Sequence, residues 1–287
     1  FACAVPGIMA TRSIADPRDR LTTIMVAPLM TCSARLPVYA LLIAAFIPNQ
    51  TVWGMFNLQG LVLFGLYMAG IVSALGVSFV LKFLQKDKSE HVLLMELPSY
   101  RFPDLKSVWI GLLDRAKIFL KRVGGIIFAL SILLWFLCTF PQPPEGATLP
   151  AIDYSFAGML GHVLQPIFAP VGFNWQIVIA LIPAMAAREV VVAALGTVYA
   201  LSAVDEDAMS QGLAALISGG GELGWSLATG LSLLVWFIYA PHCLATLATV
   251  KRETGSWRTV SFMTVYLFGL AYLMSFLTYQ TASYLLG

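Results

Sequence analysis

Charged side chains are scarce in this sequence, and their scarcity excludes most soluble protein classes. Only 11% of the 287 residues are charged and 59% are hydrophobic, with a mean hydropathy of +0.82. Soluble globular domains carry about 25% charged residues. The formal net charge of +2 is too small to indicate a nucleic-acid partner. The composition therefore predicts an all-α, polytopic helical membrane protein with no nucleic acid among its partners.

The motifs that mark common catalytic sites are missing as well. The glycine run 219–221 lacks the lysine of a phosphate-binding loop, and no hydrolase elbow, haem motif or zinc-protease helix occurs. The four cysteines form no Cys-x-x-Cys pair, so neither a disulfide framework nor a structural zinc site is indicated. We therefore expect no enzyme activity from these residues themselves.

Long uncharged runs predict the membrane crossings, since a span needs about 20 apolar residues. The runs that qualify cover residues 21–47, 58–81, 123–140, 175–201, 226–250 and 259–286. Arg35 is the only charge between residues 21 and 81. Prolines inside 21–47 and 175–201 predict helices broken at membrane depth. Residues 175–201 form either a crossing or a re-entrant hairpin, so the number of crossings stays open.

Positive charge is concentrated in one segment, residues 82–122, which holds nine lysines and arginines. The positive-inside rule places this segment in the cytoplasm. Apolar residues recur within it at helical spacing from about residue 104 to 120. The spacing predicts an amphipathic helix, either on the inner membrane surface or packed on other protein as a linker helix.

The chain opens and closes on two copies of one pattern. Cys3 precedes Arg12 by nine residues, and Cys243 precedes Arg252 by the same nine. A proline lies near each cysteine, and a new apolar run follows each basic segment. Paired helices broken at membrane depth, one in each half of a chain, are the usual indication of a transporter's substrate site. An odd number of crossings would make the two copies an inverted repeat, and an even number would make them a parallel repeat.

Three ionisable side chains stand deep in the apolar runs: Arg35, Arg188 and Glu189. A charge at bilayer depth costs a few kcal/mol, so it normally faces a pathway or a partner. Adjacent helical residues point about 100° apart, so Arg188 and Glu189 do not neutralise each other on one helix. We expect Arg35 to meet Glu189, in either a gating role or a structural ion pair.

Soft metal ligands accompany the broken segments. The thiols are Cys3, Cys32 and Cys243, and the thioether of Met185 and the imidazole of His242 lie near them in sequence. Thiolate and thioether sulfur suit transition metals rather than Mg²⁺ or Ca²⁺. The alternative is that these residues only pack the membrane interior, which is the commoner fate of cysteine and methionine there.

Six separated segments of the chain carry a family resemblance. They are Cys3–Arg12, Arg18–Pro28, Cys32–Pro37, Met95–Arg101, Ala187–Val192 and Lys251–Trp257. Together they resemble the membrane domain of the bacterial ferrous-iron transporter B (FeoB) family. The resemblance implies two gate-type repeats containing broken helices. Residues 1–85 form the first gate region with its start truncated, 86–121 the cytoplasmic basic loop with its amphipathic helix, and 122–287 the membrane region containing the second gate.

The same resemblance implies a function. The expected activity is uptake of Fe²⁺, the transported substrate, across the bacterial inner membrane by a multi-pass protein. GTP and Mg²⁺ would act only through the family's N-terminal GTP-binding domain, which these residues do not include. The implied partners are membrane lipid, small cytosolic proteins of the ferrous-iron system and further copies of the chain in a homo-oligomer.

The resemblance also assigns residues. Cys3, Cys32 and Cys243 are the candidate metal pathway, and Glu189 is the candidate gate glutamate. The secondary candidates are Arg35, Met185 and His242. One departure from the family pattern matters: many members have proline directly before the second-gate cysteine, whereas here His242 intervenes, and one residue of shift turns the thiol by about 100°. Cys138 lies in an unbroken run and is expected to stay outside the pathway.

Two other functions stay open at this point. A nucleoside-type secondary transporter shares the gate architecture, although it would need polar side chains for a ribose, and few are present. A non-transporting membrane scaffold would use the broken helices only structurally. Metal-dependent uptake by the intact protein separates the three functions.

The charge distribution makes a prediction about orientation. In a variant carrying Lys88→Cys as its reactive thiol, a membrane-impermeant maleimide should label this position only after the cytoplasmic face is made accessible. Labelling of Lys88→Cys from outside intact cells would overturn the assignment of residues 82–122 to the cytoplasm.

Overall fold

The computed structural model describes residues 3–48, 50–52, 56–84, 104–141, 151–185, 188, 190–202, 225–241 and 243–286. Over these residues the fold is helical, apart from one two-residue antiparallel pairing of β1 (Thr51–Val52) with β2 (Phe56–Asn57). The expectation of an all-α membrane protein is confirmed. Residues 85–103 of the expected basic segment lie outside the described residues, and the remainder from residue 104 belongs to a helix.

Five helices form the first part of the chain: α1 (Ala4–Ala10), α2 (Pro17–Val26), α3 (Leu36–Phe46), α4 (Leu58–Leu84) and α5 (Leu105–Thr139). Asp16 caps α2 by accepting a hydrogen bond from the Arg18 backbone N–H, with proline at the first helical position. Between α2 and α3 the helix gives way to two short 3₁₀ turns, Ala27–Leu29 and Ser33–Arg35. This is the break that the prolines predict.

The described residues of the second part contain six helices: α6 (Phe156–Phe168), α7 (Trp175–Ala184), α8 (Val190–Ser202), α9 (Leu227–Tyr239), α10 (Leu244–Thr254) and α11 (Trp257–Leu286). The run 226–250, expected as a span, is therefore two helices separated at 240–243. Pro241 lies at this break, where it removes a backbone donor and strains any helix that would continue.

Three helical segments of the described residues are long and apolar enough to cross a membrane, namely Pro17–Phe46, Leu58–Phe83 and Trp257–Leu285. A bent pair, Phe156–Val171 with Trp175–Ala184, would make a fourth, although its two parts meet at 99°. The ten residues of α7 reach only about 15 Å, half of the hydrocarbon thickness. Because α7 packs against α8, the geometry favours the re-entrant hairpin for residues 175–201.

Helix α5 differs from its expected form. A surface helix at 104–120 and a separate span at 123–140 were expected, whereas the structure has one continuous α5 of 35 residues. Asp104 caps it by accepting from the backbone N–H groups of Lys106 and Ser107. No proline occurs within α5, so nothing interrupts its backbone hydrogen bonding where the polar stretch meets the apolar one.

Gly172 makes the sharp bend between α6 and α7 possible. Its φ of 82° lies in the left-handed region, which residues with a Cβ rarely adopt. A Cβ placed there would also lie 2.1 Å from the ring of Tyr279 on α11. The bend is therefore in close contact with α11, and position 172 accommodates only glycine.

Helix α9 packs along α11 more extensively than any other pair of described helices does. Two buried serines join these helices reciprocally: Ser275 Oγ donates to the Ser232 carbonyl at 3.0 Å, and Ser232 Oγ contacts the Ser275 carbonyl at 3.2 Å. Ser232 Oγ also lies 2.8 Å from the Val171 carbonyl at the α6–α7 bend. Small residues with interhelical hydrogen bonds are the usual contact between membrane helices.

The serine pair yields a stability prediction. Ser232→Ala should destabilise the folded protein by about 1 kcal/mol, because interhelical hydrogen bonds in membranes are worth roughly 0.6 kcal/mol on average and up to about 1.7. The double variant with Ser275→Ala should lose less stability than the two single variants lose in sum. Each hydroxyl contacts the other serine's carbonyl, so the two interactions are coupled. Thermal unfolding in detergent measures both effects. Ser261→Ala, at an exposed position of α11, is the control, and an equal loss there would contradict the assignment.

Candidate functional site

Three of the four cysteines occupy the same kind of position. Cys3 (φ −155°, ψ 139°) immediately precedes α1, Cys32 (φ −115°, ψ 160°) precedes the 3₁₀ turn Ser33–Arg35, and Cys243 (φ −161°, ψ 100°) precedes α10. Each is extended backbone at the start of a helix, and none uses its side chain to cap that helix. The helix breaks therefore place three thiols at irregular backbone, where a side chain can serve a ligand.

Cys3 and Cys32 line the same cavity. It has a volume of about 90 Å³, and its lining consists of Cys3, Ala4, Gly7, Ala27, Met30, Thr31 and Cys32. A buried water needs at least one probe sphere of about 10–15 Å³ and two or more polar partners. The cavity is therefore large enough for an ion with some of its water, and it is surrounded by residues of the first helix break and of the start of α1.

Arg35 holds the first break together. Its side chain is fully buried, with 0% exposure. Nη2 donates to the Pro28 carbonyl at 3.1 Å, and Nη1 contacts the Leu29 carbonyl at 3.5 Å. Carbonyls at a broken helix lack their usual partners, and a guanidinium has five N–H donors to offer. The expected pairing of Arg35 with Glu189 cannot be followed, because Glu189 lies outside the described residues.

Arg188 connects the first break to the second. Its buried guanidinium donates through Nη2 to the Ala240 carbonyl at 3.0 Å, at the break between α9 and α10. Through Nη1 it contacts Cys32 Sγ at 3.6 Å. One side chain thus binds a carbonyl next to the second-gate break and the thiol of the first.

An ion cluster joins the two Cys…Arg copies, because α1 packs against α10. Glu253 accepts from Arg12 Nη2 at 2.6 Å and from Arg12 Nε at 2.9 Å, and from Arg20 Nη2 at 2.9 Å. Only 2% of the Glu253 side chain is exposed. The hydrogen bond from Arg12 is the main cause that holds the pKa of Glu253 below its ordinary value, aided by the charges of both arginines. The sequence pattern therefore corresponds to a contact between its two copies.

The remaining candidates fall elsewhere. Cys243 heads α10 but does not line the cavity of Cys3 and Cys32. Met185 lies at the end of α7, also away from that cavity, and His242 lies outside the described residues. Cys138 is buried in an apolar cluster. Within the described part of the chain, no three or more His, Cys, Asp or Glu side chains are grouped to hold a metal ion.

Sequence reasoning missed two residues. Thr31 lines the cavity between two other lining residues. The sequence feature that could have identified it is its position between Pro28 and Pro37, directly before Cys32. Glu253 looked like an ordinary helix-end charge beside Arg252, since a contact across 241 residues leaves no mark in a local pattern.

Helices broken at irregular backbone in both halves, within a fold of long apolar helices, define a polytopic membrane protein of the gate type. Comparison with known families makes this specific. The model described as "Nucleoside recognition" (Gate) matches residues 120–257, and that for "Ferrous iron transport protein B C terminus" matches residues 63–115. The chain belongs to the ferrous iron transport protein B family.

Curated relatives agree with this assignment. The Fe(2+) transporter FeoB of Leptospira interrogans is 40% identical over 97% of this chain, and that of Campylobacter jejuni is 33% identical over 100%. A Porphyromonas gingivalis protein named as a fusion of Fe(2+) transport protein A with FeoB is 36% identical over 98%. The chain covers 41%, 46% and 36% of these relatives' own lengths. No solved structure matches it significantly.

The ion cluster generates a prediction. Glu253→Gln should lower the melting temperature, because it leaves Arg12 and Arg20 without their shared carboxylate. The pKa of Glu253 is lowered in the folded protein, so its contribution is present above the ordinary glutamate pKa of about 4.3 and is lost as pH falls through the folded value. The difference between wild type and variant should therefore hold at neutral pH and shrink below about pH 4.

The control for this prediction is Asp19→Asn. The Asp19–Lys82 pair at 3.3 Å is exposed on both sides, at 46% and 62%, and exposed pairs contribute little. Asp19→Asn should leave the melting temperature nearly unchanged. Equal effects of the two variants, or a difference for Glu253→Gln that does not depend on pH, would contradict the account.

Proposed function

We propose that this chain forms the membrane pathway of a ferrous-iron transporter of the bacterial inner membrane, and that Fe²⁺ passes the cavity of Cys3 and Cys32. The relatives' names supply the substrate. The observation that carries the proposal is that two cysteines 29 positions apart, each directly before a helical segment, line one cavity.

The chemistry of the cavity supports a transition metal over Mg²⁺ or Ca²⁺. Thiolate ligands favour transition metals, while Mg²⁺ and Ca²⁺ prefer oxygen. A transport site must also release its ion, so it needs few and imperfect ligands. Two thiols without a third acidic or imidazole ligand among the described residues meet that requirement.

The second gate extends the pathway. Cys243 begins α10, which packs against α1 directly after Cys3. Arg188 contacts both Cys32 and the Ala240 carbonyl close to Cys243. In this proposal the three thiols act in sequence along one route, and Glu189, next to Arg188 in the chain, carries the gate charge.

The intact protein would add control to this pathway. The chain spans less than half of its relatives' length, and we propose that a cytosolic GTP-binding domain of the whole protein, with GTP and Mg²⁺, gates or drives transport. The Porphyromonas gingivalis fusion joins FeoB to a transport protein A. A small cytosolic protein of that kind is therefore the proposed partner.

Single cysteine-to-serine variants of the whole transporter test the pathway. Cys3→Ser and Cys32→Ser should reduce anaerobic uptake of radioactive Fe²⁺ into proteoliposomes by about tenfold or more, because a hydroxyl replaces a thiolate in the ligand set. Cys243→Ser should reduce it as well. Cys138→Ser is the matched control, since this thiol is buried in apolar packing, and it should transport normally.

Expression and melting temperature are measured in parallel, so that lost folding is not taken for lost transport. Uptake that is normal in all four variants would end the thiol proposal. Thiol-independent uptake of a nucleoside, with no uptake of Fe²⁺, would favour a nucleoside transporter instead.

A further inference from the structure

Arg188 makes a contact that support of the second break does not require. The residue is buried, with 6% exposure. Its Nη2 donates to the Ala240 carbonyl at 3.0 Å, and this bond supports the backbone between α9 and α10. Its Nη1 contacts Cys32 Sγ at 3.6 Å, and Cys32 lines the cavity of the proposed pathway. A positive charge therefore lies directly against one of the candidate iron ligands.

The other buried arginine of this region is placed differently. Arg35 reaches the carbonyls of Pro28 and Leu29, which belong to its own segment of backbone. Arg188 instead joins two separate segments and contacts a side chain that lines the cavity. Arg35 is thus placed to support the first break, whereas Arg188 is also placed to act on a metal site.

A guanidinium and a metal ion compete for the same sulfur. Both are cations, and repulsion between cations is much stronger in a protein interior than in water. An ion that binds Cys32 must therefore overcome the charge of Arg188 and its contact with Sγ. The bond from Nη2 to the Ala240 carbonyl would keep the guanidinium close to the thiol while a metal ion occupies it.

We propose that Arg188 is a built-in competitor for the Cys32 thiol, which keeps Fe²⁺ binding weak and returns to the sulfur as the ion leaves. The proposal rests on the proposed iron pathway and adds the residue that regulates release of the ion. A transport site must release its ion as well as bind it. Arginine suits this role because it stays charged at physiological pH and its several N–H donors serve Ala240 and Cys32 together.

The test uses the whole transporter, purified without oxygen. Equilibrium Fe²⁺ binding, Fe²⁺ dissociation into a chelator and Fe²⁺ uptake into proteoliposomes are measured. Arg188→Gln removes the charge and keeps an amide N–H for the Ala240 carbonyl. It should tighten Fe²⁺ binding by about tenfold or more, because a charged competitor is lost. Dissociation should slow by a similar factor, and maximal uptake should fall about threefold or more, because release becomes limiting.

Three variants make the result specific. Arg188→Lys keeps the charge and should bind Fe²⁺ within about threefold of wild type. Arg188→Met is a second neutral replacement of similar size, and it should tighten binding as Arg188→Gln does. Arg258→Gln removes a charge at an exposed position of α11 and should bind and transport as the wild type does. Melting temperatures identify any variant that has lost its fold.

A purely structural arginine would give a different pattern. Its neutral variants would weaken binding and uptake together, with no gain in affinity. Fe²⁺ binding that is unchanged or weaker in the folded neutral variants would therefore overturn the proposal, as would equal tightening in Arg258→Gln.

Cysteine variants separate this proposal from the function beneath it. If Cys3→Ser and Cys32→Ser lose Fe²⁺ binding while Arg188→Gln binds no more tightly than wild type, the pathway stands and the role of Arg188 is wrong. If the cysteine variants bind and transport Fe²⁺ normally, the pathway itself is wrong, and the role of Arg188 falls with it.

Discussion

Hydrogen bonds from buried guanidinium groups to backbone carbonyls make the broken helices of this protein tenable. A membrane interior offers no water to unpaired carbonyls, so irregular backbone survives there only when protein groups satisfy it. Arg35 does this at the first break, for Pro28 and Leu29. Arg188 does it at the second, for Ala240. Prolines interrupt the helical hydrogen bonding, and arginines hold the irregular backbone in one conformation.

At the breaks, backbone carbonyls have a structural role, while side chains are the candidates for binding a substrate. The carbonyls of Pro28, Leu29 and Ala240 accept hydrogen bonds from arginine. The thiols of Cys3 and Cys32 line the cavity beside the first break. Positive guanidiniums beside a cation pathway would repel the cation. On the proposed pathway, a metal ion that binds Cys32 would have to displace Arg188 from this thiol.

Patterns among residues close in sequence predicted the features of the fold that such residues determine. Prolines located the break after Pro28 and the end of α7 near Pro183, whereas 226–250 was expected as one span and is broken at Pro241. The equal spacing after Cys3 and Cys243 falls on two segments that are in contact. Contacts between distant segments left no such trace. Arg35 was expected to need an acidic partner, yet its described partners are carbonyls of its own segment. The ion cluster at Glu253 and the contact of Arg188 with Cys32 depend on how helices meet, which spacing along the chain does not encode.

The central claim is that Fe²⁺ binds in the cavity that Cys3 and Cys32 line. Anomalous scattering at the iron edge, from crystals of the whole transporter soaked anaerobically in Fe²⁺, tests it most directly. The account predicts a peak within ligand distance of the thiols of Cys3 and Cys32. Iron that is ordered elsewhere in the membrane region, with no peak beside either thiol, would contradict it.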